Sequence, residues 1–195
     1  MSAYLPQLAG KTREGHKKGM AESVQGNDSD PVYERVPRDH QVLNGGKIIG
    51  VRWVDVNKGD AADPDYRSRL VGREFVVGRD DALYAATPPL EALRLVVSQA
   101  ATYSEGGARR KVMTNDVRRA YFCAKIQGNV YIELPKEDEH YGTSMLGKLR
   151  LCLYGTRDAA KGWQETLSAH LESVGFQRGV GHPCVFFRPT RGIKT

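Results

Sequence analysis

Between Glu105 and Glu133 the chain carries a single acid, Asp116, set in the run Asn115-Asp116-Val117-Arg118-Arg119-Ala120-Tyr121-Phe122. A carboxylate at the end of an apolar stretch, followed by a bend that brings an aromatic ring five residues on, suits metal-dependent nucleotidyl transfer. In that chemistry Asp116 would hold a divalent cation. Tyr121 would lie under an incoming sugar and test it sterically for a 2′-hydroxyl. The same residues have a plainer use, with Asp116 capping the turn and Tyr121 in the core, because Asp at a strand end commonly bonds its own turn. Five cations flank this acid: Arg109, Arg110, Lys111, Arg118 and Arg119. They could track a nucleic-acid backbone or form a solvated face. His182 and Cys184 are a pair without further partners, which does not make a zinc site. No phosphate-loop, nucleophile-elbow or dinucleotide pattern occurs.

The elements that must position these groups follow from periodicity and turn chemistry. Residues 1–30 show no sustained period and read as a flexible, basic and polar leader, with order starting near Val32-Tyr33. Asn44-Gly45-Gly46 opens a strand over Lys47 to Val56, in which Ile49, Val51 and Trp53 share one face. Lys58-Gly59-Asp60 through Pro64-Asp65 supplies a turn, and a second strand runs from Tyr66 to about Val77, completing a long hairpin with a charged tip. Pro88-Pro89 starts a helix with Leu90, Leu93, Val96, Val97 and Ala100 at helical spacing, ended by Ser104-Glu105-Gly106-Gly107. Short strands are expected over Lys111 to Asp116, Val130 to Leu134 and Lys148 to Leu153, with a polar acidic loop at Glu137, Asp138 and Glu139. Thr156 is placed to cap a helix to about Val174, with Ala159, Trp163, Leu167 and Leu171 on one face and Gly175 as the stop. Trp163 at that spacing reads as core, not as a base-stacking platform. Cys184 to Phe187 is a last short strand. This order argues for an α+β fold with an antiparallel sheet and against alternating βαβ units.

Composition bounds the rest. The chain has 195 residues, enough for one domain or one with an extension. With 40% hydrophobic and 27% charged residues it can bury a core, which excludes wholesale disorder. Lys and Arg exceed Asp and Glu by 29 to 23, a net charge of +6 that is compatible with a polyanionic partner. Apolar runs such as Leu95-Val96-Val97 are too short to cross a bilayer. Met1 to Met20 lacks the apolar centre of a signal peptide. Three scattered cysteines, Cys123, Cys152 and Cys184, make a disulfide scaffold an unsuitable reading, so a reducing intracellular compartment is expected.

Several short pieces recur together in one known family. They are Trp53-Val54 with Lys58; Tyr66-Arg67-Ser68-Arg69-Leu70-Val71; Asp116-Val117 leading to Ala120-Tyr121-Phe122; and Val130-Tyr131-Ile132-Glu133-Leu134-Pro135. Leu153-Tyr154-Gly155 with Ala159 and Trp163 follows, and then Gly175-Phe176 with Pro183 and Phe186. In this order and at these spacings, from Pro31 to Phe187, the chain resembles the reverse transcriptase domain of copia-type retrotransposon Pol polyproteins. The resemblance implies an RNA-directed DNA polymerase with a partial right-hand fold over residues 31–195, comprising fingers and part of the palm. It implies Mg²⁺ (or Mn²⁺) as cofactor at Asp116. An RNA/DNA template–primer, a dNTP and the remainder of the Pol polyprotein would be its partners, with no membrane. Its setting would be a cytoplasmic element particle, with nuclear passage open to it. Within the hairpin, Arg69 and Lys58 would neutralise phosphate charge as it moves to the leaving pyrophosphate. For Arg67 a surface charge pair with Asp63, Asp65 or Glu74 is the preferred reading, since only one of two residues two apart need reach the ligand. Tyr154-Gly155 would form the turn before the long helix and brace the new base pair, Gly155 permitting close backbone approach.

The chain departs from the family pattern at Asp158-Ala159-Ala160, where Gln-Ala-Pro is usual. This puts a carboxylate near nucleic-acid phosphates, although it complements a helix N-terminus. The family's second carboxylate motif, an Asp-Asp pair in a later hairpin, does not appear before Thr195. Asp80-Asp81 lies upstream, on the fingers side. Two-metal transfer needs more than one carboxylate, so the isolated chain is expected to be catalytically inactive. It would be either a reverse transcriptase fragment or a non-catalytic nucleic-acid-binding remnant. The palm-sheet edge is expected to be exposed.

Overall fold

The computed structural model describes residues 14–21, 24, 30–60, 62–74, 85–102, 111–189 and 193–194. The chain divides into two units, one of Met1–Leu83 with Arg119–Gly162 and one of Tyr84–Arg118 with Trp163–Thr195.

In the first unit, helix α1 (residues 14–21) precedes strand β1 (Tyr33–Pro37) and the short helix α2 (Arg38–Asn44). Strands β2 (Lys47–Asn57) and β3 (Tyr66–Arg73) form the expected antiparallel hairpin, pairing Trp53 with Leu70 and Val54 with Arg69. Period two works as read: Ile49 is buried, and Val51 and Trp53 pack on the same core. Strands β4 (Val130–Glu133) and β5 (Met145–Leu149) complete a five-stranded sheet in the order β1-β5-β4-β2-β3. Val32, Ile132 and Leu153 are fully buried in its main core, while Tyr131 and Leu146 are fully buried with Val36 on a separate cluster.

The sheet is mixed, which corrects the expectation of an antiparallel one. β2 runs parallel to β4, with Lys47 opposite Val130 and Ile49 opposite Ile132. Parallel neighbours need a long crossover, and the excursion from residue 58 to 129 supplies it. β5 also lies earlier than the strand expected over Lys148 to Leu153. The chain leaves the ladder after Leu149, where the N–H groups of Arg150 and Leu151 both donate to Val32 O, at 2.9 and 3.2 Å. Only an isolated bridge between Lys125 and Leu151 follows.

Helix α3 (Leu90–Ala101) and the larger part of α4 (Ala159–Ser173) belong to the second unit, which also holds a small antiparallel sheet. That sheet is β6 (Gln177–Arg178), β7 (Phe186–Arg188) and β8 (Ile193–Lys194). α3 starts after Pro88-Pro89 as read, but Leu90, Leu93, Leu95 and Val97 are all more than half exposed. α4 ends as the sequence requires. Gly175 takes φ +92°, and the N–H groups of Gly175 and Phe176 close back on Glu172 O and Leu171 O. The strand expected over Lys111 to Asp116 is absent. Residues 111–117 are exposed and irregular, and a strand exists only where a neighbour completes its ladder.

Thr156 does not cap α4 through its side chain. It is buried, and its hydroxyl donates to Leu153 O at 2.8 Å. Thr156→Val should therefore cost about 1 kcal/mol, the worth of one buried hydrogen bond, in urea unfolding. It should leave the helical circular-dichroism signal of α4 unchanged, whereas a lost cap would fray it.

Candidate functional site

The aromatic and basic residues picked out on the hairpin and on the 120–123 turn meet in the first unit. Arg119 takes a left-handed conformation (φ 54°, ψ 43°) and opens a single 3₁₀ turn, Ala120–Cys123. A non-glycine residue held there stores about 1–2 kcal/mol of strain. The turn presents Tyr121 and Phe122 to Tyr154, with ring centroids 4.8 and 5.6 Å apart. Arg69 lies over the Tyr154 ring, its Cζ 5.7 Å from the centroid, an arrangement that favours the cation. A pocket beside these rings is lined by Arg67, Arg69, Arg119, Phe122 and Tyr154, with Gly19 at its wall. Burial pushes the Tyr154 phenol above its ordinary value. Arg69, Arg67 and Arg119 pull against that shift, while Tyr121 adds to it.

The turn carrying Tyr154 is fixed by backbone contact. Gly155 has φ +82°, and a Cβ there would lie 2.3 Å from Gly72 O and 2.5 Å from Val71 Cγ1. Gly72 N–H donates to Tyr154 O at 2.7 Å, so β3 rests directly on the turn. Glu74 ties the same elements. One of its oxygens pairs with the Lys47 ammonium and the other accepts the Arg157 N–H at 2.9 Å. Glu74 is thus engaged elsewhere, and Arg67 shares the pocket of Arg69, in place of the surface charge pair expected for it.

The structure therefore brings together Arg69, Tyr121, Tyr154, Gly155 and, from the basic run, Arg119. It adds Arg67 and Phe122, which the sequence reading did not select. The equal facing of residues 67 and 69 on one strand was the available signal for Arg67. Lys58 is exposed at the hairpin tip and does not line the pocket. Asp116, Lys111 and Arg118 are exposed residues of the second unit. Arg109, Arg110 and the Asp80-Asp81 pair lie outside the described residues. Among the described residues no group of three or more His, Cys, Asp or Glu is placed to hold a metal ion. Asp116 alone does not make up a two-cation set.

Asp158, the departure from the family pattern, is turned to a structural use. Its Oδ2 accepts the Gln127 N–H at 3.1 Å, and its Oδ1 is buried without a hydrogen-bond partner among the described residues. Its charge also reaches Cys152, whose thiol is pushed up to about 12 by burial first and by Asp158 second. Cys152 is an inert core group at neutral pH.

A second polar cluster escaped the sequence reading. Asp138, in the loop expected to be solvated, has a fully buried side chain. It accepts from Tyr33 Oη at 2.8 Å, from Arg35 Nε at 3.2 Å and from the His140 N–H at 2.9 Å. Burial, together with the bond to Asp138, pushes the Tyr33 phenol well above its ordinary value.

Comparison with known proteins shows the family of the chain. The family model described as "Reverse transcriptase (RNA-dependent DNA polymerase)" matches residues 36–192. The chain is 26% identical over 177 residues to the retrovirus-related Pol polyprotein from transposon TNT 1-94 of Nicotiana tabacum, covering 88% of this chain and 13% of that protein. It is also 26% identical over 148 residues to the retrovirus-related Pol polyprotein from transposon RE1 of Arabidopsis thaliana, covering 71% of this chain and 10% of that protein. The chain thus spans only a small part of the length of these curated relatives. No solved structure matches it. Among the described residues, no helix is long and apolar enough to cross a membrane.

Proposed function

The chain belongs to the reverse transcriptase (RNA-dependent DNA polymerase) family, and we propose that its arginine pocket receives the triphosphate of an incoming deoxynucleotide. The observation that carries this reading is the convergence of Arg67, Arg69 and Arg119 beside the Tyr154 and Phe122 rings. Three guanidinium groups match the charge and bidentate geometry of phosphate oxygens. Tyr121, tilted 53° against the Tyr154 ring, offers a face for the sugar, where a 2′-hydroxyl would crowd it. In this reading β2–β3 is the fingers hairpin, and β1, β4 and β5 with the Tyr154-Gly155 turn are part of the palm.

A divalent cation, Mg²⁺ or Mn²⁺, supplies phosphate neutralisation in this chemistry when bound, and Asp116 would contribute one of its carboxylate ligands. Lys111 and Arg118, with Arg109 and Arg110, would follow the template–primer backbone, and the remaining Pol polyprotein would complete the active site. The 195-residue polypeptide alone is then expected to bind primer–template in a salt-dependent way without extending it. Templated incorporation by this polypeptide that disappears in Asp116→Asn would overturn that expectation.

Nucleotide affinity tests the pocket. Arg69→Ala should weaken dTTP binding about tenfold or more, since a hydrogen bond to a charged group contributes roughly 1.5–3 kcal/mol. Tyr121→Val should narrow the preference for dTTP over the ribonucleotide. An Arg69→Ala chain that binds dTTP as the parent does would sink the assignment.

A further inference from the structure

We propose that helix α1 is a clasp that positions the arginine pocket, with His16 as its positioning residue; the ligand side of this inference rests on the pocket assignment above. Gly15 and Gly19 stand one turn apart and face the hairpin. A Cβ at Gly15 would lie 2.6 Å from Ser68 Oγ, and one at Gly19 would lie 2.6 Å from Trp53 Cζ3 and 3.3 Å from Ser68 O. Only glycine lets the helix lie this close. Met20 is buried in the main core and anchors the end of the helix.

His16 ties three elements with one side chain. Its ring stacks on Trp53 of β2, with centroids 4.6 Å apart and planes 11° from parallel. Nε2 lies 3.1 Å from both carboxylate oxygens of Asp55, also on β2, and Nδ1 lies 3.2 Å from Glu137 Oε1. Glu137, from the loop after β4, uses its other oxygen to accept the Trp53 Nε1–H at 2.8 Å. Burial would raise the Glu137 carboxyl, but the bonds from Trp53, its own backbone N–H and His16 outweigh it and hold the group below the ordinary carboxylate range. Trp53 pairs with Leu70, and the next rung pairs Val54 with Arg69, so the clasp grips the ladder one rung from the pocket arginine. Gly19 itself is part of the pocket wall. Fixing α1 on Trp53 thus steadies the strand pair that carries Arg69.

The test uses the full chain with Trp163→Phe, leaving Trp53 as the single tryptophan reporter. His16→Ala should change Trp53 emission, speed amide exchange over residues 67–70 and 119–122, and weaken dTTP binding roughly three- to tenfold, the scale of one ring stack with partly exposed ion pairs. His16→Phe, which keeps the stack, should recover part of each. Should His16→Ala fail to fold, Gly19→Ala displaces the helix from Trp53 and carries the same expectations. A lower melting temperature with unchanged exchange and unchanged low-temperature affinity would make α1 mere packing and overturn the inference. If the parent chain binds no dTTP, the pocket assignment fails, and exchange alone decides the clasp: faster exchange in His16→Ala upholds it and unchanged exchange overturns it.

Discussion

Gly155→Ala should destabilise the first unit by about 3–4 kcal/mol, a large share of the 5–15 kcal/mol typical of a folded domain. Two costs add. Holding a residue with a Cβ at φ +82° costs about 1–2 kcal/mol. The new Cβ would also lie 2.3 Å from Gly72 O, a backbone atom that cannot swing aside, and overpacking of this kind costs about 1–3 kcal/mol. Gly142→Ala separates the two. Gly142 has φ +78° with nothing within 4 Å of its added Cβ, so that variant bears the backbone strain alone and should lose about 1 kcal/mol. Urea unfolding followed through Trp53, with Trp163→Phe, reads both. Equal losses would show that β3 does not rest on the Tyr154-Gly155 turn as described. Because that contact also places Arg69 over Tyr154, Gly155→Ala should lose dTTP affinity under conditions where it remains folded.

The β2–β3 hairpin was legible in the sequence because its information is local. Ile49, Val51 and Trp53 alternate, and a turn-rich stretch separates them from the second strand. The stop of α4 was legible for the same reason, since Gly175 satisfies a conformation set by its immediate neighbours. The parallel pairing of β2 with β4 was not, because register across a long excursion depends on contacts that no local pattern records. The residues from Lys111 to Asp116 have strand-like composition, yet composition cannot supply the neighbouring strand. α1 was missed because its docking face is made of Gly15, His16 and Gly19, which contribute no hydrophobic period; their signal is close approach to Trp53 and Ser68. At the site, the spacing from Asp116 selected Tyr121, and family resemblance selected Arg69, Tyr154 and Gly155. Strand periodicity could only say that Arg67 shares a face with Arg69, and the pocket decided that both use it.

Asp138→Ala should cost about 3–5 kcal/mol, because three hydrogen bonds to one buried carboxylate are lost together and a single bond to a charged group is worth roughly 1.5–3 kcal/mol. Its carboxylate is fully buried, and its removal leaves Tyr33 Oη and the His140 N–H without this acceptor, while Arg35 loses the bond from Nε but keeps Nη1 on Glu139 at 3.0 Å. Asp138→Asn keeps the shape and isolates the charge, which allows a test by pH. Burial alone would raise the Asp138 carboxyl, but the His140 N–H, the Tyr33 hydroxyl and the Arg35 charge outweigh it and hold the group below its ordinary value. The folded state therefore binds fewer protons than the unfolded chain below the ordinary Asp value of about 3.9. The resulting stabilisation is fully present above that value and is lost as pH falls through the lower, folded one. Glu137, next in sequence and also held low, acts in the same direction. Unfolding free energy measured from neutral pH into acid should fall for the parent chain. It should fall less steeply for Asp138→Asn, with the residual slope carried in part by Glu137. Parallel pH profiles for the two chains would mean that Asp138 titrates alike folded and unfolded, and the buried network would then contribute nothing to acid sensitivity.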